Sequence, residues 1–175
     1  MNADELSTLL KTHPGTRNVF VGVAARDTLP KKPRRRRPCA YICNTAKAHP
    51  HLGEHWVCFY FKKKAPPEYF DSNGMSPQFA SFQRFLGGYW KENRLMLQSP
   101  LSTVCGQYCM FYILMRNKGY TMEEIQSWFS PYDLLKNDQN VNRTVNALFN
   151  TQQEVHDATF LQPWIFRHLL ATNNQ

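Results

Sequence analysis

Cys105 stands in a local sequence that could make its thiol reactive. A short polar loop, residues 98–103, leads into a Cys105-Gly106 pair, and a strongly apolar stretch follows. The pattern predicts a thiol at a helix N-terminus, where the helix dipole and free backbone N–H groups favour the thiolate. Because a thiolate is a nucleophile, we looked for a base, an orienting carboxylate and an oxyanion donor elsewhere in the chain.

Three upstream residues are candidates for these parts. His55 precedes an apolar, β-prone run, Asp71 ends a second short run at a turn signal, and Gln98 lies seven residues before Cys105. A histidine can activate the thiol, an aspartate can fix the histidine tautomer, and a glutamine amide can donate to a developing oxyanion. Each residue alone has a more ordinary interpretation as inert core cysteine, half-buried histidine or turn former. The prediction of a thiol-protease site therefore depends on the set.

Short segments in the same order resemble the adenovirus-type cysteine proteases (adenains), endopeptidases that mature viral precursor proteins. The resemblance covers about residues 18–112 and consists of ordered short motifs. These motifs are residues 20–22, 27–30, 39–46 ending in Asn-Thr-Ala, 53–56 containing His-Trp, 69–71 followed by Gly74, and Gln98 at its spacing from Cys105-Gly106.

The resemblance implies an α+β fold, with a papain-like cysteine protease core in His-Asp-Cys order and a mixed sheet packed on a central nucleophile helix. It implies that Cys105 is the nucleophile, His55 the base, Asp71 the orienting acid in place of the family's Glu, and Gln98 an oxyanion donor beside the Cys105 N–H. Trp56 is expected beside the imidazole. The implied activity is cleavage of viral precursor proteins at Gly-containing sites during virion maturation, in the virion and the host nucleus.

Two activators are also implied by the resemblance, namely DNA and a viral peptide; no small-molecule cofactor is expected. In the adenovirus enzymes the peptide can form a disulfide with a cysteine between the acidic residue and the glutamine. This chain has no cysteine between Cys58 and Cys105, and it is shorter after the nucleophile helix. The pattern is that of a divergent member from a virus or virus-like element.

Two alternatives stay open at this stage. A deubiquitinase or deSUMOylase-type isopeptidase shares the fold, the residue order and a Gly-Gly preference, but its glutamine usually lies one residue nearer the cysteine. A non-catalytic basic DNA-binding protein is the alternative from another class. It predicts DNA binding that is unaffected by Cys105→Ala.

The positive charge is concentrated in the first third of the chain. Of the net charge of +8, residues 1–64 carry +9 (13 Lys+Arg against 4 Asp+Glu) and the rest carries −1. Such runs bind anions, and the phosphate backbone of DNA is the expected partner, in a sequence-independent and salt-sensitive manner. The residues concerned are Lys31, Lys32, Arg34, Arg35, Arg36, Arg37, Lys62, Lys63 and Lys64.

Length and composition predict one domain over residues 1–175 and a monomer, with a substantial core. No signal peptide, membrane-spanning run or membrane partner is expected. The odd number of cysteines, five, suggests free thiols in a reducing compartment. A zinc site was weighed and not favoured, because its candidates lack a close Cys-x2-Cys pair; these are Cys39, Cys43, His49, His51, His55 and Cys58.

Local patterns also predict the elements that must position these residues. Strands are expected at 19–23, 39–45, 56–61, 68–71 and 94–97, the last leading into Gln98. Helices are expected at 4–12, at 76–86 from a Ser76-Pro77 start, at 104–117, at 121–129 from a Thr121–Glu124 capping box, at 141–149 and at 163–170. A sheet encoded before most of the helices is typical of the α+β class.

Overall fold

The structure, a computed structural model, describes residues 1–49 and 55–149. Within these ranges it contains strands β1 (Phe20–Ala25), β2 (Cys39–Asn44), β3 (Trp56–Phe61), β4 (Glu68–Phe70) and β5 (Lys91–Glu92). The helices are α1 (Ala3–Thr12), α2 (Ala80–Leu86), α3 (Cys105–Asn117), α4 (Met122–Ser127) and α5 (Leu134–Phe149). No helix of the described ranges is both long enough and apolar enough to cross a bilayer.

The five strands form one mixed sheet in the order β1-β2-β3-β4-β5. The outer pairs, β1 with β2 and β4 with β5, are parallel, whereas β2–β3 and β3–β4 are antiparallel. Asn44 is paired with both Ala25 and Trp56, so the ends of β1 and β2 and the start of β3 share one edge. This edge carries the candidate active site. The predicted α+β class with a mixed sheet is confirmed.

Both faces of the sheet are covered, which explains why β2 and β3 read as continuous apolar runs. Helix α3 lies in the core on one face, with 11 of its 13 residues buried. The apolar residues of α1, α4 and α5 join the same cluster, whereas α2 covers the opposite face with interlocking aromatic rings. Alternate residues serve the two faces, since Ile42 faces α3 and Tyr41 faces α2. The helix that carries the candidate nucleophile is therefore held on all sides.

Two helices begin with capping boxes. The Thr121 side chain accepts from the Glu124 N–H, and the Glu124 carboxylate accepts from the Thr121 N–H, as the sequence predicts. Asn2 and Glu5 make the same reciprocal pair at the start of α1. At the other end of α3, Gly119 takes φ +104°, a left-handed conformation that terminates the helix.

The prediction of a strand at 94–97 is wrong, because the short strand β5 lies earlier, at Lys91–Glu92. The backbone of the later segment is held by other partners: the Leu97 N–H donates to the Ser72 carbonyl, and the Asn93 side chain bonds both polar backbone groups of Leu95.

Two helix starts also differ from prediction. Helix α2 begins at Ala80, because the Ser76 hydroxyl donates to the Glu92 carboxylate instead of capping a helix. Helix α5 begins at Leu134, earlier than predicted. The helix predicted at 163–170 lies outside the described residues.

Candidate active site

Three of the predicted residues meet because of where their elements begin and end. Cys105 is the first residue of α3, His55 directly precedes β3, and Asp71 directly follows β4. Since β3 and β4 are antiparallel neighbours, the start of one and the end of the other lie at the same edge of the sheet. Helix α3 packs across that sheet with its N-terminus at the same edge.

A short hydrogen bond joins the imidazole to the carboxylate. His55 Nε2 lies 2.7 Å from Asp71 Oδ1, and the Asn73 N–H donates to the same oxygen at 2.8 Å. The Asn93 side-chain amide donates to the Asp71 carbonyl at 2.6 Å. Asp71 is 3% exposed. The carboxylate is therefore fixed by its own turn and by the loop after β5, and its shorter side chain still reaches the imidazole.

The thiol and the imidazole shift each other's protonation. Burial opposes the charge on His55, but its hydrogen bonds to Asp71 and Cys105 outweigh burial and raise the pKa of His55 to about 9. Burial likewise opposes the Cys105 thiolate, but hydrogen bonds from His55 and from the Trp56 and Gly106 N–H groups lower the pKa of Cys105 below its ordinary value. Since Asp71 occupies Nε2, Nδ1 is the nitrogen left for the thiol. These shifts favour a thiolate–imidazolium pair.

Three cysteines outside the site have the opposite tendency. Burial raises the pKa of the thiols of Cys43, Cys58 and Cys109. Cys109 lies one turn after Cys105 on the same helix, and its Sγ donates only to the Trp56 carbonyl, at 3.5 Å. Position at the helix N-terminus and contact with His55 thus distinguish Cys105 from otherwise similar buried thiols.

The N-terminus of α3 keeps donors for an oxyanion. Its N-cap is Val104, whose side chain makes no capping hydrogen bond. Near it, Gln98 is 3% exposed, accepts from the Ser72 hydroxyl at Oε1 (2.7 Å) and donates from Nε2 to the Ser102 carbonyl (2.8 Å). An amide nitrogen carries two hydrogens, so the second Nε2 hydrogen remains for an oxyanion, together with the Cys105 N–H.

A cleft of about 780 Å³ opens over these groups. His55, Gln98 and Cys105 all line it. Much of its remaining lining consists of small apolar side chains at the carboxyl ends of β1 and β2, among them Ala24, Ala25, Ala46 and Ala48. Such a lining can accommodate an extended polypeptide.

Trp56 is half-buried, lines the cleft, and lies near Leu6 of α1 and Gly106 of α3. A Cβ added to Gly106 would lie 3.5 Å from Trp56 Cδ1 and 3.3 Å from Leu6 Cδ2, so the glycine leaves room for both side chains. Trp56 Nε1 also donates to the Met1 carbonyl at 3.3 Å. The indole therefore ties α1 to the N-terminal turn of the nucleophile helix.

Two runs of basic residues, Arg34–Arg37 before β2 and Lys62–Lys64 after β3, meet at the opposite edge of the sheet from His55. Cys39 pairs with Phe61, so the loop before β2 and the residues after β3 are neighbours. The Arg37 guanidinium lies 5.1 Å from the centre of the Phe61 ring. All nine cations except Arg37 are exposed, and within residues 1–49 and 55–149 none forms an ion pair with an acid. At about 3.3 Å per residue, β3 places this basic edge about 17 Å from the start of the strand, next to His55.

The zinc candidates do not converge in the described ranges, where no group of three or more His, Cys, Asp or Glu side chains is placed to hold a metal. Cys39, Cys43 and Cys58 lie inside strands, and the cysteines of β2 and β3 face different cores. His51 lies outside the described residues.

Five residues around the site were not predicted. Ser72 and Asn73 follow Asp71 in a segment that sequence reasoning treated only as a turn. Asn93 directly follows β5 and precedes residues 94–97, for which the sequence wrongly predicts a strand. The remaining two, Asn137 and Asp138, lie in α5 and have no local motif that marks them; both are buried and contact the backbone around Gln98.

No family model and no curated protein matches this chain. Among solved structures, the chain is similar to the crystal structure of the ASFV pS273R protease, at 19% identity and a TM-score of 0.46, over 77% of this chain and 61% of that one. A selenomethionine crystal structure of the same protease gives 23% identity and a TM-score of 0.43, over 65% of this chain and 45% of that one. The chain thus matches about half of the length of these proteases.

Proposed function

We propose that this protein is a cysteine endopeptidase. The observation that carries the proposal is the position of His55 between the buried Asp71 carboxylate and the Cys105 thiol at the start of α3. The Cys105 thiolate attacks the scissile carbonyl carbon, and the C=O electron pair moves to the oxygen, which accepts from the Cys105 N–H and Gln98 Nε2. The His55 imidazolium then donates its proton to the leaving amine, which produces the acyl-enzyme.

Hydrolysis of the acyl-enzyme restores the site. Neutral His55 takes a proton from water, the resulting hydroxide attacks the thioester carbonyl, and collapse of the tetrahedral intermediate expels the Cys105 thiolate and the free carboxylic acid. Asp71 holds the imidazole in the tautomer that presents Nδ1 to the thiol, and it stabilises the imidazolium in both steps.

The substrates we propose are viral precursor proteins, cut at Gly-containing sites during virion maturation. The resemblance of residues 18–112 to adenovirus-type proteases supports this class. The small side chains that line the cleft agree with it, because they fit an extended chain with small residues near the scissile bond. A virion and a host nucleus are the proposed setting.

DNA is proposed as a partner that acts from a distance. The cations next to the paired ends of β2 and β3, Arg37 and Lys62–Lys64, lie at the sheet edge opposite His55, a strand length of about 17 Å away, where a phosphate backbone can lie without covering the cleft. A viral peptide activator also remains a proposal. Because the four cysteines other than Cys105 are buried and do not line the cleft, such a peptide would act without a disulfide to them.

The first test measures cleavage of Gly-containing peptides and of ubiquitin-like conjugates, with and without DNA. Wild type is compared with Cys105→Ala and with Cys109→Ala, a control that removes the same thiol one turn further along the helix. Peptide cleavage that requires Cys105, tolerates Cys109→Ala and rises with DNA supports the proposal. Cleavage of conjugates alone supports the isopeptidase alternative.

The non-catalytic alternative has a separate outcome. It requires that all three proteins bind DNA equally and that none cleaves any substrate, including after addition of candidate activating peptides. Neutralising Arg34–Arg37 to Gln should reduce DNA binding and its salt dependence and leave DNA-independent peptide cleavage unchanged.

A further inference from the structure

We propose that Ser72 and Asp138 are positioning residues that hold Gln98 as an oxyanion donor. The inference rests on the proposed protease function and assigns to the site two residues from elements outside the Cys-His-Asp set. In this role neither residue contacts the substrate. Each acts through its hydrogen bonds to the loop that carries Gln98. Residues 97–99 are called the oxyanion loop below.

The Ser72 hydroxyl and the Ser102 carbonyl together hold the Gln98 amide. The hydroxyl donates to Oε1 at 2.7 Å, while Nε2 donates to the Ser102 carbonyl at 2.8 Å. A reversed amide would bring Oε1 against the Ser102 carbonyl oxygen, which cannot donate, so the carbonyl sets the orientation and the Ser72 hydroxyl fixes the amide in it. Ser72 is 1% exposed, so water does not readily replace its hydroxyl. The observed amide orientation is therefore the one that keeps an N–H for the oxyanion.

The backbone of Ser72 supports the same loop. Its carbonyl accepts from the Leu97 N–H at 2.8 Å and from the Gln98 N–H at 3.1 Å. Ser72 also directly follows Asp71, the partner of His55. One short segment after β4 thus connects the group that orients the imidazole with the group that orients the oxyanion donor.

Asp138 holds the oxyanion loop from the other side. Its carboxylate accepts from the Ser99 N–H at 3.1 Å. The Tyr108 hydroxyl, which carries one hydrogen, lies between two acceptors, 2.8 Å from the Leu97 carbonyl oxygen and 3.0 Å from Asp138 Oδ1. Asn137 donates to the Leu97 carbonyl at 3.0 Å. The residues on both sides of Gln98 are therefore tied to α3 and α5.

Asp138 is buried, where a carboxylate loses the hydration that it has in water. It is 6% exposed, and no cation pairs with it within the part of the chain that the structure describes. Its hydrogen bonds all go to the oxyanion loop and to the tyrosine that braces this loop. A buried carboxylate used in this way fixes one loop at the N-terminus of α3, and oxyanion donors must be held to within about 0.5 Å of the productive geometry.

The test separates formation of the oxyanion hole from formation of the nucleophile. Peptide turnover requires both, whereas alkylation of Cys105 by iodoacetamide requires the thiolate and no oxyanion donor. The variants are Ser72→Ala, Ser72→Thr, Asp138→Ala, Asp138→Asn and Gln98→Ala, with Gln139→Ala as the control on the exposed face of α5 beside Asp138. For each we measure kcat, KM, the alkylation rate against pH and Tm.

We expect Gln98→Ala to lower kcat about 100-fold and Ser72→Ala and Asp138→Ala to lower it about 10- to 100-fold. KM and the alkylation profile should stay within about twofold of wild type. Ser72→Thr retains the hydroxyl and Asp138→Asn retains an acceptor for the Ser99 N–H, so both should recover most of the activity. The Ser72→Ala/Gln98→Ala double variant should be no slower than Gln98→Ala, because both changes remove one interaction.

Any one of the following results would overturn the inference. They are an unchanged kcat in Ser72→Ala, a loss that adds fully to that of Gln98→Ala, and an alkylation rate that falls in parallel with kcat. If Gln98→Ala is silent while Cys105→Ala is inactive, the inference fails and the protease function stands. If Cys105→Ala cleaves as well as wild type, the protease function itself fails.

Discussion

Helix α3 and strand β4 together hold two buried clusters of charged side chains, one at each end. The far cluster, at the C-terminal end of α3, consists of Arg116 and of Glu68, the first residue of β4. The near cluster, at the N-terminal end of α3, consists of Cys105, His55 and Asp71, which directly follows β4. Both clusters combine an acid from the β4 segment with a cation or potential cation. The near cluster lines a cleft, whereas Glu68 and Arg116 of the far cluster are buried.

The far cluster is closed because its partners are all supplied by the protein. Arg116 Nη2 lies 2.6 Å and Nε 2.7 Å from the two Glu68 oxygens, the Tyr112 hydroxyl donates to Glu68, and Arg116 Nη1 donates to the Tyr120 carbonyl. Burial opposes the guanidinium charge, but the Glu68 carboxylate outweighs burial and raises the pKa of Arg116. The pair is a structural tie between helix and sheet.

The near cluster differs in what it leaves unsatisfied. One Gln98 N–H and the Cys105 N–H are kept for a substrate oxygen, and the His55 side chain retains 16% exposure. Burial and charge are common to both ends of α3. The comparison teaches that reactivity at the near end comes from donors that the fold positions and does not use.

The largest expected effect is on turnover in Cys105→Ala. Removing the nucleophile should lower kcat by a factor on the order of 10⁴ or more, because members of such a set act as a unit. Tm should stay within about 2 °C of wild type, since the change removes one sulfur atom at the cleft and leaves the His55–Asp71 hydrogen bond in place. Peptide cleavage and thermal unfolding measure the two quantities. Residual turnover within tenfold of wild type would contradict the assignment of the near cluster.

Asp71→Ala should have the next largest effect. Loss of the carboxylate frees the imidazole to rotate and change tautomer, so we expect kcat to fall on the order of 10³-fold. The pKa of His55 should fall as well, because the hydrogen bond that raises it is gone. NMR titration of the His55 ring measures the latter. A ring that still titrates near pH 9 would contradict the proposed role of Asp71.

Glu68→Ala should reverse the pattern, with a loss of stability in place of activity. Removing one partner of a buried ion pair leaves Arg116 uncompensated and costs about 3–5 kcal/mol of unfolding free energy. Urea unfolding measures this loss. The folded fraction should alkylate Cys105 at the wild-type rate, because the two clusters lie at opposite ends of α3. The double variant Glu68→Leu/Arg116→Met should regain much of the stability.

Only the near cluster should respond to mildly alkaline pH. The pKa of His55 is raised to about 9 from 6.5, so its contribution to stability is complete below about pH 6.5 and is lost as pH rises through about 9. The Cys105 pKa is lowered, so its contribution is lost as pH falls through that lowered value. Turnover should therefore fall above about pH 9, whereas alkylation of the thiolate should persist.

His55→Ala sharpens the same test. Without the imidazole, burial should move the alkylation profile of Cys105 to higher pH. Glu68→Gln is the matched control, because it alters the closed cluster without touching His55. An alkylation profile that is the same in His55→Ala and wild type would mean that the imidazole does not stabilise the thiolate.

The smallest expected effect is that of Cys109→Ala. This thiol is on the same helix as Cys105, but burial raises its pKa and the cleft does not reach it. We expect kcat within about twofold of wild type and a loss of about 1 kcal/mol for the missing buried sulfur. Mass spectrometry should find iodoacetamide on Cys105 and none on Cys109 in the folded protein.

The parts of the site that depend on chain order could be predicted from the sequence. A thiol at a helix start, a histidine before a strand and an acid after the next strand are each marked by local patterns, and antiparallel pairing then brings the last two together. The capping box of Thr121 and Glu124 was also readable, because all of its contacts are within four residues. Sequence reasoning is strongest where position in an element determines position in space.

The supporting contacts could not be predicted, because they join distant segments. Asp138 meets Ser99 across 39 positions and Glu68 meets Arg116 across 48, with no periodicity that relates them. The misplaced strand at 94–97 has the same cause, since its polar groups are taken by side chains and by the Ser72 carbonyl. The secondary-structure propensity of a short segment does not depend on residues that are distant in the chain, so it cannot predict such contacts.

The depth at which α3 is buried has a consequence for when the protein can act. With 11 of 13 residues buried, this helix has little reason to exist before the sheet and the surrounding helices have closed around it. An unfolded or partly synthesised chain therefore has an ordinary thiol at position 105 and no nucleophile. In the proposed protease, completion of the fold and appearance of reactivity are therefore one event, and a chain that is still being made lacks the activated nucleophile.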